Sequence, residues 1–388
     1  MIARHLTSKL TDLTEKFPVI SVTGPRQSGK TTLLKETFPL KKYLSLEDPD
    51  MRRFAIEDPR GFLASCPEGA ILDEAQRVPH LFSYLQGIVD DHHRPGEFIL
   101  SGSQNFLLME SITQSLAGRV AILKLLPFSN SELDATEYVV QSLERRIFTG
   151  CYPRIYDRNI EPEDFYPNYV QTYVERDLRQ LKSIHDLDLF SRFLRLCAAR
   201  LGQLLNIASL AADCGISHYT AQSWLSLLQT SYIVYLLPPH FENFSKRVVK
   251  MQKLYFYDTG LACHLLSIKE DQQIATHSMR GPLFENMIIN EWIKYFFNSG
   301  REAPVYFWRN KTGHEIDLML DLPEKRILAE IKSGYTFHPD FLKNLSYYQK
   351  IGKDKHNLQP FVIYAGEMKQ TRESFSLLPW KDAVSGII

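Results

Sequence analysis

The sequence predicts an α/β protein with a parallel sheet near its N-terminus, a helical middle and a second, smaller α/β unit at its C-terminal end. Three observations carry this reading. Apolar, β-rich runs alternate with helical runs up to about residue 128, as in a parallel sheet covered by helices on both faces. The first such run, Val19 to Thr23, enters a glycine-containing turn that opens a helix. Toward the C-terminus, a helix from Gly281 precedes strands at His314–Leu320 and Arg326–Lys332, the second alternating with the period of two that a strand requires.

That first turn reads Gly24-Pro-Arg-Gln-Ser-Gly-Lys-Thr31 and fits G-x-x-x-x-G-K-S/T, a loop that cradles phosphates. Gly24 and Gly29 permit the tight turn that points backbone N–H groups inward, through Pro25, Arg26, Gln27 and Ser28. Lys30 would reach the β- and γ-phosphates of ATP and Thr31 would hold Mg²⁺. The helix entered through Thr31 and Thr32 would turn its positive dipole end toward the nucleotide. A second half of such a site is an apolar strand ending in carboxylates, and Gly69-Ala-Ile-Leu-Asp-Glu74 has that form. Asp73 would bind Mg²⁺ through water and Glu74 would polarise the attacking water. A solvated acidic turn is the structural alternative.

Glu97 to Gln104 reads as a further buried strand with a polar tip, so that Ser103 or Gln104 would contact the γ-phosphate or the water. Arg119 stands just before the strand Val120–Leu126. This order resembles the AAA+ class, with Lys30, Asp73, Glu74, Ser103 or Gln104, and Arg119 at its Walker A, Walker B, sensor and arginine-finger positions. The resemblance implies that Arg119 completes a neighbour's site, which requires an oligomer. An ordinary surface or phosphate-facing arginine is the other reading of Arg119.

A length of 388 residues implies two or three domains. The boundaries read as 1–128 for the ATPase core, 129–205 for a helical lid, 206–265 for a winged helix-turn-helix and 266–388 for the C-terminal unit. With 44% hydrophobic and 23% charged residues the composition is that of a globular protein, and a net charge of +0 excludes global attraction to nucleic acid. Any DNA surface must be a local patch. The cysteines, Cys66, Cys151, Cys197, Cys214 and Cys263, show no paired metal-site spacing and suit a reducing compartment. The first ten residues lack a signal-peptide core, and no apolar run approaches the roughly 20 residues that span a bilayer. The expectation is a cytoplasmic protein without membrane contact.

The middle region is punctuated by Pro127, Pro153, Pro162 and Pro167 and carries amphipathic runs such as Tyr169–Leu178. From Ile207 to Leu228 the spacing is that of a helix-turn-helix: Leu210 and Ala211 inward, Gly215 at the turn, Ile216 in the core, and Trp224, Leu225 and Leu228 anchoring the second helix. The strand Tyr232–Leu237 and a basic return through Lys246, Arg247, Lys250 and Lys253 complete a winged-helix outline. Its outward positions, His218, Gln222, Ser226 and Gln229, include no Arg or Lys, the commonest base readers. A DNA-contacting and a purely structural role both fit.

In the C-terminal unit, alternation places Glu330 and Lys332 on one face, with Asp317 on the preceding strand and Glu285 within reach from the helix. Three hard oxygen ligands, Glu285, Asp317 and Glu330, suit Mg²⁺ or Mn²⁺, and Lys332 would orient water or stabilise charge at phosphorus. This resembles the PD-(D/E)XK, restriction-endonuclease-like fold, with Ile316 where that motif has proline. A module retained for nucleic-acid binding or assembly is the alternative.

Taken together, the chain resembles a prokaryotic family of AAA+ ATPases that join a P-loop core, a winged helix and a C-terminal nuclease-like domain of uncharacterised function. Pro25-Arg26, Gly150-Cys-Tyr-Pro153, Glu175-Arg-Asp177, Leu254-Tyr-Phe-Tyr-Asp-Thr-Gly260 and Phe284-Glu285 carry the likeness beyond the motifs above. It implies an Mg²⁺-dependent ATPase in a homo-oligomeric ring, a hexamer among the possible sizes, that binds DNA and remodels or translocates it, with or without cleavage. Two alternatives are an ATP-gated, metal-dependent DNA nuclease and a nucleotide-controlled regulatory or assembly switch.

Overall fold

The computed structural model describes residues 2–103, 112, 114–140, 142–174, 186–240, 251–351 and 357–388. Gln104, Glu175-Arg-Asp177, Lys246, Arg247 and Lys250 lie outside the described residues.

Strands β1 (Val19–Thr23), β2 (Lys42–Ser45), β3 (Ala70–Asp73), β4 (Phe98–Gly102) and β5 (Val120–Lys124) form one sheet in the order β2-β3-β4-β1-β5. Every pairing in it is parallel. Strands β1, β3 and β4 are buried along their whole length, which is why they read as continuous apolar runs rather than as alternating ones. Ile20, Val22 and Ile99 pack against Leu6, Leu10, Leu33 and Leu34 of the helices Leu6–Thr14 and Lys30–Thr37 on one face. Val19, Leu72 and Leu100 pack against Phe62, Phe82 and Leu85 of the helices Pro59–Ala64 and Leu81–His92 on the other.

This parallel arrangement brings the ends of β1, β3 and β4 to one edge, where ligands of open α/β sheets bind. Arg119 lies at the opposite edge: its carbonyl accepts the Val19 N–H at 3.3 Å, beside the start of β1.

After β5 the chain enters short helices, among them Asn130–Asp134, whose capping box joins Ser129 and Glu132. The helices Ile207–Cys214 and His218–Thr230 are N-capped by Asn206 and Ser217 and joined through Gly215, which adopts φ 77°. Strands β6 (Val234–Leu237) and β7 (Lys253–Phe256) follow as an antiparallel pair. Leu210, Ala211, Trp224, Leu225 and Leu228 are buried and Ile216 is half-buried, while His218, Gln222 and Ser226 face solvent.

The C-terminal unit runs helix Arg280–Asn298, β8 (Val305–Arg309), β9 (Glu315–Asp321), β10 (Lys325–Lys332), helix Lys343–Ile351, β11 (Asn357–Tyr364), β12 (Gln370–Thr371) and β13 (Ser376–Pro379). Its sheet order is β12-β13-β11-β10-β9-β8. Strand β10 sits between antiparallel β9 and parallel β11 and is buried except at its two ends.

Apolar side chains from Leu126 to Ile387 share one cluster, so the helical middle and the C-terminal unit pack as neighbours. Polar contacts tie this body to the first sheet. Arg4, 7% exposed at its side chain, reaches Glu132 Oε1 at 3.1 Å, the Ser28 carbonyl at 2.8 Å and the Leu126 carbonyl at 2.7 Å. Lys294 donates to the Phe128 carbonyl and Glu291 accepts the Asn130 N–H, each at 2.7 Å. Among the described residues no helix is long and apolar enough to cross a membrane.

Candidate functional site

Phosphate-binding geometry starts with backbone. Gly24 has φ 151° and a Cβ there would lie 2.1 Å from the Leu125 carbonyl oxygen, so no side chain fits. Gly29 adopts φ 91°, a left-handed value that L residues rarely take, and from it the chain turns into the Lys30–Thr37 helix. Lys30 is buried and donates to the carbonyls of Gly24 at 2.9 Å and Pro25 at 2.8 Å. Its ammonium thus lies folded over the loop.

The predicted partners converge on that loop. Thr31 Oγ1 donates to Asp73 Oδ2 at 3.0 Å. Tyr43 donates to the same oxygen at 2.6 Å, and the Ser101 hydroxyl donates to Asp73 Oδ1. Asp73 is therefore fixed by neighbouring strands, with a hydroxyl and a carboxylate oxygen set side by side. That hard-oxygen pair fits Mg²⁺. Glu74 leaves β3 in a left-handed conformation, φ 54°, which turns its side chain away from the strand. Its Oε2 accepts from Gln76 Nε2 at 2.5 Å and from Ser103 Oγ at 3.3 Å.

A cavity of about 910 Å³ is lined at one end by Arg26, Gln27, Gly29, Lys30, Thr31, Thr32 and Glu74. Away from the loop its wall is apolar and aromatic, with Ile2, Phe128, Tyr138 and Pro153. Arg154 and Arg158 lie on the same rim. None of these wall residues was singled out for this role from sequence, because they come from segments far from the loop. Part of the signal lay in Gly150-Cys-Tyr-Pro153. Asp258 Oδ2 accepts the Cys151 N–H at 2.7 Å, which joins that stretch to Leu254–Gly260 and sets Pro153 at the cavity.

Arg119 is paired side-on with Asp90, Nε donating to Oδ1 at 2.5 Å and Nη2 to Oδ2 at 2.8 Å. It stands at the end of the sheet away from the phosphate loop of its own chain. Within the chain its contacts are those of an arginine held in an ion pair.

Burial pulls the Lys30 ammonium down to about 8 from 10.5, against the upward influence of Glu74 and Asp73. Below pH 8 this cost of burying charge is present in full. Between about 8 and the ordinary 10.5 the folded protein sheds a proton that the unfolded chain keeps, so stability without nucleotide rises with pH. Nucleotide affinity moves the opposite way as the ammonium is lost. Calorimetric titration is expected to show Kd rising above pH 8, approaching about tenfold per pH unit.

The C-terminal cluster forms as a second polar centre. Lys332 Nζ meets Asp317 Oδ2 at 2.8 Å and also contacts Glu330 Oε2. The Ile331 N–H donates to Asp317 Oδ2 at 2.8 Å. Burial works against ionised Asp317, but Lys332 and Lys253 outweigh it and hold the carboxyl below its ordinary range. Burial, and then Asp317, push Glu330 up to about 9. Glu285 does not join this pair directly: it accepts from Lys253 Nζ at 2.8 Å and from the Tyr255 hydroxyl.

One sequence expectation is corrected here. Lys253 is not part of an exposed basic return but is 3% exposed and buried among carboxylates. Lys253 stands at Glu285, and Lys332 at Asp317 and Glu330, so each of the three carboxylates faces an ammonium. No group of three or more His, Cys, Asp or Glu among the described residues is placed to hold a metal ion.

The five-stranded parallel sheet, with a phosphate loop after its first strand and carboxylates after its third, defines an AAA-type P-loop ATPase core. Residues 16–134 match the family described as "AAA domain", 140–272 match "Domain of unknown function (DUF8612)" and 280–383 match "Domain of unknown function (DUF4143)". Over 338 residues the chain is 30% identical to "Uncharacterized protein Rv2008c" of Mycobacterium tuberculosis and to "Uncharacterized protein Mb2031c" of Mycobacterium bovis. The match covers 86% of this chain and 74% of each relative, and the chain belongs to their family. Among solved structures, the Walker-type ATPase PABY2304 of Pyrococcus abyssi is 15% identical with a TM-score of 0.44, covering 68% of this chain and 96% of its own.

Proposed function

We propose that the chain hydrolyses ATP with Mg²⁺ at the Gly24–Thr32 loop and couples turnover to work on DNA. The observation that carries the hydrolytic half is the placement of Glu74. It lines the nucleotide cavity, and Ser103 and Gln76 aim its carboxylate. Lys30 and the loop N–H groups would hold the β- and γ-phosphates, Thr31 and, through water, Asp73 would hold Mg²⁺, and Glu74 would accept the proton of the attacking water. Mg²⁺ supplies charge neutralisation at the phosphates. Ser103 senses the γ-phosphate side of the site through its bond to Glu74.

The base would lie against Tyr138, Phe128 and Pro153 at the apolar end of the cavity. Loss of a ring contact is worth about 0.5–1.5 kcal/mol, so Tyr138→Ala is expected to weaken ATP binding about two- to tenfold without abolishing turnover at saturation. Titration with a fluorescent ATP analogue checks this. Unchanged affinity would place the base elsewhere.

Support for DNA as the partner comes from the module after the ATPase core. A helix-turn-helix followed by an antiparallel strand pair supports a winged-helix reading, and its second helix leaves His218, Tyr219, Gln222 and Ser226 exposed. The C-terminal succession of helix, three-strand meander, helix and parallel strand supports the nuclease-like reading of that unit. Arg119 at the outer edge of the sheet favours a ring in which it faces the next subunit's nucleotide. An ATPase assay across single-stranded, duplex and branched DNA, with Lys30→Ala as control, tests the coupling. Stimulation by one class is expected. Turnover indifferent to every DNA, with no binding at low salt, would leave the switch reading in its place.

A further inference from the structure

Lys253 opens strand β7, and its ammonium stands between two acidic side chains of different elements. Its Nζ is 2.8 Å from Glu285 Oε1, on the Arg280–Asn298 helix, and 2.5 Å from Glu315 Oε1, at the start of β9. Tyr255, two residues along and hence on the same face of β7, donates to the same Glu285 oxygen. The ring of Phe307 lies 5.4 Å from Nζ and closes the apolar side. Beyond it, Lys332 takes Asp317 and Glu330. Each carboxylate of the cluster thus already faces an ammonium.

A divalent cation of the Mg²⁺ or Mn²⁺ kind needs oxygen ligands at about 2.0–2.2 Å in a near-octahedral shell. It cannot share Glu285 Oε1 with an ammonium at hydrogen-bond distance, because the two positive charges would lie within a few ångströms in a buried setting. The residues of this cluster therefore do not fit a divalent cation as arranged, although their types and strand positions are those that would suit one. Lys332 belongs to the same strand as Glu330, whereas Lys253, which takes Glu285 and Glu315, comes from another part of the chain.

We propose that Lys253 is a built-in counter-ion that closes the Glu285 and Glu315 side of the C-terminal carboxylate cluster to divalent cations. This rests on the nuclease-like reading of the C-terminal unit for its expectation of a metal, and on geometry alone for the closure. The strand pair that carries Lys253 also touches the other site. Tyr232, just before β6, lies with its hydroxyl 2.9 Å from Thr23 Oγ1, next to Gly24 of the phosphate loop.

Mn²⁺ binding to the full chain, without nucleotide, tests the closure by depletion of the free Mn²⁺ electron paramagnetic resonance signal. The wild type is expected to show no site that Asp317→Asn removes. Lys253→Gln is expected to gain one site per chain, at least about tenfold tighter than any wild-type binding, since a buried like charge has been taken away. The double variant K253Q/D317N should lose it again. Lys253→Met, which keeps the stem length without the charge, carries the comparison if the glutamine variant is poorly folded by circular dichroism. A wild type that already binds one Mn²⁺ removed by D317N overturns the proposal whatever the variants do. So does a folded K253Q or K253M that binds Mn²⁺ no more tightly than the wild type. Neither outcome bears on DNA-stimulated phosphate release, which tests the ATPase reading separately.

Discussion

Lys30→Ala is expected to abolish ATP turnover and to weaken nucleotide binding by on the order of a hundredfold, while leaving the nucleotide-free protein as stable as the wild type or more so. The first two effects follow from removal of the ammonium folded over the loop, since charge-assisted bonds to phosphate contribute about 1.5–3 kcal/mol each. The third follows from burial. Lys30 sits in the core with its ammonium pulled down to about 8, which means that the fold pays to keep the charge there. Its loss removes that cost along with the bonds to the Gly24 and Pro25 carbonyls. Thermal melts with and without ATP, beside a phosphate-release assay, separate these effects. A large drop in the melting temperature of the nucleotide-free variant would mean that Lys30 is a structural cation of the loop.

Glu74→Gln should split the two functions of the site. Gln is isosteric and can still accept the Ser103 bond, so ATP affinity is expected to stay within about threefold of wild type. It cannot take a proton from water, and loss of a positioned base costs about 10²–10⁴ in rate. The contrast with Lys30→Ala is diagnostic: one variant loses the nucleotide, the other holds it. If Glu74→Gln turned over at the wild-type rate, the base would have to be sought among the other groups at the cavity.

The two variants also show which parts of the site were legible in sequence. Gly24, Lys30, Thr31, Asp73, Glu74 and Ser103 were readable because each need is local: a turn that excludes Cβ, a helix start, a buried strand that ends in acid. Their convergence required only that the strands be parallel. Arg4 was not readable. It reaches Glu132, Ser28 and Leu126 across the fold, and nothing in the first residues of the chain marks an arginine that braces the phosphate loop from behind. Tyr138 and Arg154 reach the cavity through segments whose packing is set by Asp258 and the large shared core. Lys253 was misread for a related reason. A lysine among other basic residues ordinarily faces water, and only the approach of Glu285 and Glu315 from other elements reverses that expectation. In the C-terminal unit, strand alternation placed Glu330 beside Lys332 correctly, but which oxygen each ammonium would claim is a matter of tertiary distance.

Arg119 shows the same limit from the other side. Its position before β5 was legible, and the far edge of the sheet is where that position falls. Its pairing with Asp90 was not, since Asp90 lies on the Leu81–His92 helix of the opposite layer.

The central claim is that the Gly24–Thr32 loop and Glu74 form one hydrolytic site. It is tested most directly by a single-turnover experiment in which γ-labelled ATP is bound to excess protein, Mg²⁺ is added and labelled phosphate is followed. The account predicts that the wild type releases phosphate from all bound ATP, while Glu74→Gln retains the same amount of ATP intact for at least about a hundred times longer. Equal release by both proteins, or bound ATP that neither protein hydrolyses, would contradict it.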